Sequence, residues 1–217
     1  MTTTRGRLIA LEGIDGCGKS TQTRILVERL GVDSVLVPVA TFEPGATPLG
    51  ASLRDLLLGR DGAPVAPRAE ALLMAADRAQ HVADVIAPAL EAGHWLVTDR
   101  YSASTLAYQG YGRGLDLMEL KEIVGWATGG LRPDLTVLFD LPVAVAAARR
   151  QGDGGDGDDR MEAEGLAFQQ RVADGFLALA SEGPDPWLVV DATDPEGLVA
   201  ATVWDAVKVL AGPGGPP

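Results

Sequence analysis

Eight residues near the N-terminus have the types and spacing of a phosphate-binding loop. Residues 13–20 read Gly-Ile-Asp-Gly-Cys-Gly-Lys-Ser, which fits the pattern G-x-x-x-x-G-K-[ST] at every position. The glycines let successive backbone N–H groups converge on phosphate oxygens, and the following helix N-terminus adds the positive end of its dipole. Lys19 is then placed for the β- and γ-phosphates and the Ser20 hydroxyl for Mg²⁺. The pattern predicts a nucleoside triphosphate site formed by Gly13, Ile14, Asp15, Gly16, Cys17, Gly18, Lys19, Ser20 and Thr21.

A second candidate group, Asp99 and Arg100, follows a short apolar run that ends at Thr98. At the carboxyl edge of a parallel sheet, near a phosphate loop, a carboxylate is placed to act on a metal ion or a cationic partner. Arg100 would face the same crevice. A surface Asp–Arg pair that caps the strand is the alternative, and the residue types alone leave it open. We expect Asp99 and Ser20 to hold Mg²⁺, partly through water.

The elements that must position these residues alternate between strands and helices. Short apolar runs predict strands at residues 8–11, 34–40, 95–98, 135–139 and 187–190. Helical spacing predicts helices at residues 18–30, 49–58, 67–91, 115–128, 143–150, 161–180 and 195–210, the third with a break near Pro88. Pro38 places the second strand near an edge of the sheet. The alternation predicts an α/β fold with a parallel sheet. Together with the phosphate-loop motif at residues 13–20, it indicates the P-loop NTPase type, a three-layer fold with a five-stranded parallel sheet flanked by helices.

Two segments of low complexity stand apart from this alternation. Residues 152–159 contain only glycine and aspartate, and we expect them to belong to a mobile lid at about residues 149–162. Residues 212–217 contain only glycine and proline and are expected to form a disordered tail. No interdomain linker is evident, so residues 1–211 are interpreted as a single domain.

The composition excludes several classes of protein. Thirty acidic against eighteen basic side chains give a net charge of −12, which argues against binding duplex nucleic acid or an anionic membrane by bulk electrostatics. One cysteine excludes an intrachain disulfide and a cysteine-rich zinc site. The apolar run 8–11 is too short for a secretory signal, and no run of about 18 apolar residues occurs. We therefore expect a cytoplasmic protein.

Longer segments of the chain resemble the thymidylate kinases, which transfer phosphate from ATP to dTMP. Residues 97–109 read VTDRYSASTLAYQ and match the family signature at every constrained position. Residues 12–22 are similar to the family's phosphate loop. Weaker similarities lie at residues 41–50 (TFEPGATPLG), 72–81 and 159–162 (DRME). The resemblance extends from about residue 7 to about residue 210, which is nearly the whole chain.

The resemblance implies how the acceptor nucleotide is held. It implies that Asp15 contacts the sugar and helps to hold Arg100, and that Arg100 and Arg54 hold the acceptor phosphate. Arg78 would read the thymine carbonyl at C4, and Tyr108 would pack where a 2′-hydroxyl would be crowded. Glu43 and Pro44 would shape the pocket, with a candidate cis bond before the proline. The remaining implied substrate contacts are Met74, Ser104, Thr105 and Gln109.

The resemblance also implies Mg²⁺ and ATP as cofactor and phosphate donor, and a homodimer built on helix faces near residues 71–76 and 115–126. Family members without an arginine in the phosphate loop use arginines of the lid. Gly16 occupies that loop position here, so a lid arginine is implied. Arg160 is the first candidate, Arg149 the second and Arg150 the third. The implied catalytic residues are then Lys19, Arg100, Arg160 and Asp15.

This sequence departs from the family pattern at two pocket positions. Phe42 stands where the family has arginine before Glu-Pro, and Met74 stands where a phenylalanine stacks on thymine. A thioether can also contact an aromatic ring favourably, by about 0.3–1.5 kcal/mol. Base affinity or selectivity could therefore differ from that of other members.

Three alternatives are weighed against this interpretation. A kinase of the same fold with another nucleoside monophosphate as acceptor stays open, because Met74 changes the base pocket. A nucleotide-binding ATPase or regulator also stays open, although Lys19, Ser20, Asp99 and Arg100 are all present. A GTPase-type switch would read guanine with Asn-Lys-x-Asp, and this chain contains no asparagine.

Overall fold

The structure, a computed structural model, describes residues 5–33, 38–59, 64–152, 161, 164–182 and 185–210. Over these residues the chain forms a five-stranded sheet in the order β2-β3-β1-β4-β5, and every pairing is parallel. The predicted α/β fold with a five-stranded parallel sheet is thus confirmed. The strands are β1 (Leu8–Glu12), β2 (Val39–Phe42), β3 (Leu96–Asp99), β4 (Leu135–Asp140) and β5 (Trp187–Asp191).

Helices connect the strands and cover the sheet. The α-helices are α1 (Lys19–Asp33), α2 (Pro48–Leu58), α3 (Pro67–His81), α4 (Ala87–Glu91), α5 (Ser102–Thr105), α6 (Leu117–Thr128), α7 (Val143–Gly152), α8 (Gly165–Glu182) and α9 (Glu196–Leu210). Two π-helical segments, Val82–Ile86 and Leu106–Gly112, continue α3 and α5. Among the described residues, no helix combines the length and apolar character needed to cross a bilayer.

The central strand β1 is buried on both faces, as parallel strands between helix layers are. Leu8 and Ala10 pack in a cluster with Ile86 and Leu90. The side chains on the other face of β1, such as Leu11, belong to the larger cluster that contains side chains of α1, α8 and α9. The neighbouring strands end at the same edge, because Leu11 pairs with Asp99 across the ladder. The phosphate loop and the residues after Thr98 therefore meet at the carboxyl edge of the sheet.

The helix around Pro88 continues instead of breaking. A proline in a helix removes one N–H donor and its ring clashes with the carbonyl four residues earlier. Here the preceding turn is π-helical, and the Ala87 N–H donates to Val82 O, five residues back. This wider turn precedes the proline and the chain stays helical to Glu91. The predicted break is therefore wrong.

One strand boundary and one helical stretch also differ from the sequence-based expectations. The second strand begins at Val39 rather than at residue 34, and residues 34–37 lie outside the described residues. It is an edge strand, as Pro38 predicted.

The helical stretch Ser102–Gly112 was not predicted, because its small and polar residues carry no clear helical periodicity. The Gly/Asp segment 153–159, Arg160 and the tail 212–217 lie outside the described residues.

Candidate active site

The phosphate loop joins β1 to α1 and depends on glycine at defined positions. Gly13 and Gly16 have φ of +142° and +84°, a region that residues with a β-carbon rarely adopt. A β-carbon at Gly16 would also lie 2.7 Å from Ala146 O. The buried Lys19 Nζ donates to Gly13 O (3.1 Å) and Ile14 O (3.0 Å). The loop is thus closed around the ammonium group at the N-terminus of α1.

The residues predicted to hold magnesium lie side by side. The Ser20 hydroxyl donates to Asp99 Oδ2 at 3.1 Å, and the other carboxylate oxygen, Oδ1, is buried without a hydrogen-bond partner among the described residues. An unpaired buried carboxylate oxygen beside a hydroxyl suits a hard cation such as Mg²⁺. No group of three or more metal-ligating side chains occurs among the described residues. Such a cation would therefore take most of its ligands from water and phosphate oxygens.

Arg100 is the centre of a polar cluster beside the loop. Its guanidinium pairs with Asp15 and donates to Gly13 O (3.2 Å), Ser104 Oγ (3.0 Å) and Tyr108 OH (3.2 Å). Burial alone would raise the pKa of Asp15, but Arg100 and Lys19 outweigh it and hold that pKa well below its usual range. The Tyr108 hydroxyl donates to Asp15 at 3.1 Å and closes the ring of contacts.

A second arginine, Arg78 of α3, is held rigidly and almost fully buried. Its Nε donates to Glu43 Oε2 (2.8 Å), and its two terminal nitrogens donate to Thr105 Oγ1 (2.8 Å) and Tyr101 O (2.9 Å). Glu43 is held in turn by His81, whose Nδ1 lies 2.8 Å from Oε1. The Glu43–Pro44 peptide bond is cis, as predicted. This network fixes the orientation of the Arg78 side chain at the wall of a pocket.

That pocket, which we call the inner pocket, brings all the predicted substrate contacts together. Its lining comprises Asp15, Glu43, Pro44, Arg54, Met74, Arg78, Arg100, Ser104, Thr105, Tyr108 and Gln109, together with Leu58, Asp77 and Met161. The last three were not predicted. Asp77 accepts from Gly45 N at 3.0 Å, and burial raises its pKa. The alternative of a surface Asp–Arg pair is wrong, since Arg100 pairs with Asp15 and Asp99 accepts from Ser20.

A larger opening, which we call the outer cleft, lies along the phosphate loop. It is lined by residues 15–23, Thr41, Phe42, Arg149, Arg150, Ala192 and Asp194, among others. The Arg149 guanidinium donates to Ala192 O at 3.0 Å. Arg150 lies against the loop, with Nη1 3.4 Å from Asp15 O, and its Nε is buried without a partner among the described residues. Arg150, the third candidate among the three arginines, thus contacts the backbone of the phosphate loop.

Several buried polar residues were not found from the sequence. Glu12, the last residue of β1, accepts from Tyr101 N and Ser104 N. Glu70 is fully buried and accepts from Gln109 Nε2 (2.9 Å) and from Arg113. The signal for Glu12 was available, because a carboxylate directly after four apolar strand residues is seldom solvated. The partners of Glu70 lie about forty positions away in the chain, and no local pattern marks them.

Comparisons with known proteins agree with this geometry. The chain matches the family model described as Thymidylate kinase over residues 11–203. A thymidylate kinase of Synechococcus sp. (strain CC9605) is 51% identical over 204 residues, 91% of this chain and 95% of that protein. One of Prochlorococcus marinus (strain MIT 9313) is 48% identical over 213 residues, 96% of each chain. One of Desulforudis audaxviator (strain MP104C) is 46% identical over 205 residues, 94% and 91%. Because the family model covers residues 11–203 and these relatives match nearly the whole chain, the chain belongs to the thymidylate kinase family.

Proposed function

We propose that the inner pocket holds dTMP and the outer cleft holds ATP, in the reaction of this family: the γ-phosphate of ATP passes to dTMP, giving dTDP and ADP. One observation carries the assignment. Arg54 and Arg100 line both the inner pocket and the outer cleft, so two guanidinium groups lie where the two spaces meet. Two phosphorylated ligands need such groups at their junction. Both substrates are cytoplasmic nucleotides, which supports a cytoplasmic location.

The main difficulty of the reaction is charge repulsion, not activation of the acceptor. A phosphate monoester already carries a charge of about −1.5 to −2 at pH 7 and needs no protein base. Two unit charges of like sign 4 Å apart repel by roughly 4 kcal/mol at an effective dielectric constant of 20. Lys19, Arg54 and Arg100 offset this repulsion and stabilise the charge that develops in the transition state. Asp15 keeps Arg100 oriented before the phosphates arrive.

Mg²⁺ would be held by Ser20 and Asp99, through water in part, next to the nucleotide phosphates. When bound, the ion neutralises phosphate charge and orients the transferred group. Lys19 is positioned to exchange its two backbone carbonyl acceptors for phosphate oxygens. Arg149 and Arg150 lie beside the same cleft, and Arg150 has a nitrogen free for a phosphate among the described contacts.

Recognition of the base depends on Arg78, which the Glu43 carboxylate and Thr105 hydroxyl hold at the pocket wall. A fixed donor discriminates between a C4 carbonyl and a C4 amino group, because a mismatched polar pair in a buried site costs about 1–3 kcal/mol. Met74 and Met161 supply apolar contact with the ring. Tyr108 closes the pocket beside Asp15, where the ribose 2′-position would lie.

A homodimer is supported by apolar side chains on neighbouring helices. Leu72 of α3 and Met118 and Trp126 of α6 are 56%, 67% and 86% exposed. Monomeric proteins seldom leave such large apolar groups together in water. The two helices pack on each other and are linked by an Arg68–Glu119 ion pair at 3.6 Å. We place the dimer interface on this α3–α6 face.

The function is tested by following ADP release from MgATP with each common nucleoside monophosphate as acceptor. We expect dTMP to give the highest kcat/KM, with dUMP and dCMP clearly lower. Preference for another acceptor would leave the phosphate chemistry in place and overturn the base-pocket assignment. Equal ADP release without any acceptor would overturn the kinase assignment itself.

A further inference from the structure

The turn that presents Arg100 has an unfavourable backbone conformation. Arg100 has φ of +73°, and it is the one non-glycine residue with a positive φ among those the structure describes. A side chain with a β-carbon is rarely found in this region, because Cβ approaches the backbone oxygen. Such a conformation persists only when the surrounding contacts fix it. The question is which contacts hold this turn.

The Thr98 hydroxyl donates to Arg100 O at 2.8 Å, and one buried carboxylate holds the backbone that follows. Glu12 is fully buried at the end of β1, and its Oε1 accepts from Tyr101 N (2.9 Å) and Ser104 N (3.2 Å). The backbone that follows Arg100 is therefore tied to the strand that leads into the phosphate loop. The Arg100 N–H itself donates to Leu11 O at 2.9 Å.

The same carboxylate also reaches the Arg100 side chain through one intermediate. Ser104 Oγ donates to Glu12 Oε2 at 2.6 Å and accepts from Arg100 Nη1 at 3.0 Å. Because the hydroxyl proton is directed to the carboxylate, the oxygen lone pairs stay available to the guanidinium. Glu12 thus fixes both the backbone turn and the direction of the guanidinium.

We propose that Glu12 is a positioning residue for phosphoryl transfer, which holds the left-handed turn at Arg100 and, through Ser104, aims the Arg100 guanidinium at the junction of the two pockets. This inference rests on the proposed role of Arg100 at the acceptor phosphate. Glu12 immediately precedes Gly13, so the same residue leads into the phosphate loop and holds the turn at Arg100. The donor and acceptor sites keep a fixed separation as a result.

The carboxylate is needed for this role, and an amide of the same shape does not replace it. In Glu12→Gln the amide oxygen can still accept from the two backbone N–H groups. The amide NH₂ then faces Ser104 Oγ, so the hydroxyl proton loses its acceptor in a buried site. Ser104 must rotate, and Arg100 loses a contact that orients it. The fold is preserved while the aim of the guanidinium changes.

The test is a double-mutant cycle between Glu12→Gln and Arg100→Lys, assayed at pH 8 with dTMP and MgATP. We expect Glu12→Gln alone to lower kcat at least tenfold, with KM for ATP changed less than threefold. In the Arg100→Lys background, the same change should lower kcat less than threefold, because the group that Glu12 aims is already altered. Ser104→Ala, which removes the bridge and leaves the two backbone contacts, should lower kcat in the same direction.

A matched control separates positioning from simple loss of stability. Asp134 accepts from Leu8 N (2.8 Å) at the opposite end of β1 and is also largely buried. Asp134→Asn should lower the melting temperature without lowering kcat. Normal kcat in a folded Glu12→Gln variant, or equal losses in both Arg100 backgrounds, would overturn the inference. Full turnover of Arg100→Lys and Arg100→Ala would instead overturn the proposed role of Arg100, and Glu12 would lose its role with it.

Discussion

Arg100 combines a strained backbone with a fully engaged side chain. Its guanidinium contacts Asp15, Gly13, Ser104 and Tyr108 at once, so its position is set before any ligand binds. Groups that are fixed in advance need no reorganisation when charge develops in the transition state. In the proposed function, the strain and the contacts together hold a cation where the inner pocket and the outer cleft meet.

Replacing Arg100 with alanine should lower kcat by about 100-fold or more, the usual loss when one preorganised charge-stabilising donor is removed. The measurement is steady-state turnover with dTMP and MgATP, accompanied by a thermal melt. Arg132→Ala is the control, because Arg132 is exposed and pairs with Asp185 at the surface. A loss of the same size in both variants would point to a general effect of removing positive charge.

The titration of Glu12 should be visible in the pH dependence of stability. Burial raises its pKa from the usual value of about 4.5 to about 7, although Ser104, Arg100 and Tyr101 N act in the opposite direction. Between these pH values the folded state holds a proton that the unfolded chain has released. The free energy of unfolding therefore falls as pH rises from about 4.5 to 7, by on the order of 3 kcal/mol.

Urea unfolding of the wild type and of Glu12→Gln at several values between pH 5 and pH 8 checks this. The stability of the wild type relative to the variant should fall toward pH 7 and then level off. The charged groups that face Glu12 are Arg78 and Arg100, and both oppose the rise in its pKa. Parallel stability curves for the two proteins would contradict the assignment.

At the scale of elements, α3 supports the inner pocket, which we propose as the base pocket, from both of its ends. Glu70 in its first turn accepts from Gln109 of the π-helical segment Leu106–Gly112, which continues α5. Arg78 and His81 in its last turn contact Glu43, just after β2. The pocket is therefore assembled by docking α3 against two other elements, and a change at either end should reach the base.

His81→Phe should raise the KM for dTMP by roughly tenfold or more, because Glu43 loses a hydrogen bond of about 1.5–3 kcal/mol and no longer fixes Arg78. His81 is fully buried, with Nε2 2.6 Å from Thr41 Oγ1. Thr41→Val is the matched control, since it removes that contact and leaves the one to Glu43. The check is to measure the KM for dTMP and the KM for ATP in both variants; only the KM for dTMP in His81→Phe should rise. An equal rise in both constants would indicate a general disturbance of the fold.

The sequence predicts the elements whose signals are local. The phosphate loop, the residues after Thr98 and the five strands were found because each is marked by residue type and spacing within a few positions. The hydrogen bonds of Glu12 with Tyr101 and Ser104 join residues about ninety positions apart. The contact of His81 with Glu43 joins residues 38 positions apart. Such pairs depend on sheet order, which no short segment encodes. The roles assigned to the site residues stay predictions.

At the scale of the molecule, the exposed face of α3 and α6 should determine the oligomeric state. Trp126→Asp places a charge in the proposed interface and should convert a dimer into a monomer, as measured by light scattering coupled to gel filtration. Val209→Asp on α9 is the control, because Val209 is similarly exposed and lies on a different helix. A monomeric wild type would contradict the proposal, and so would a dimer that tolerates Trp126→Asp.

The parallel sheet has the candidate site at its carboxyl edge, and its amino edge lies on the opposite side of the sheet. The loop after β1 and the turn after β3 lie at the carboxyl edge, whereas Arg7 pairs with Asp134 at the amino edge. β1 has only five residues, so the two edges are roughly 15 Å apart. If the enzyme is attached to a bead or an electrode through its amino edge, its proposed nucleotide sites should therefore face the solution and stay accessible to substrate.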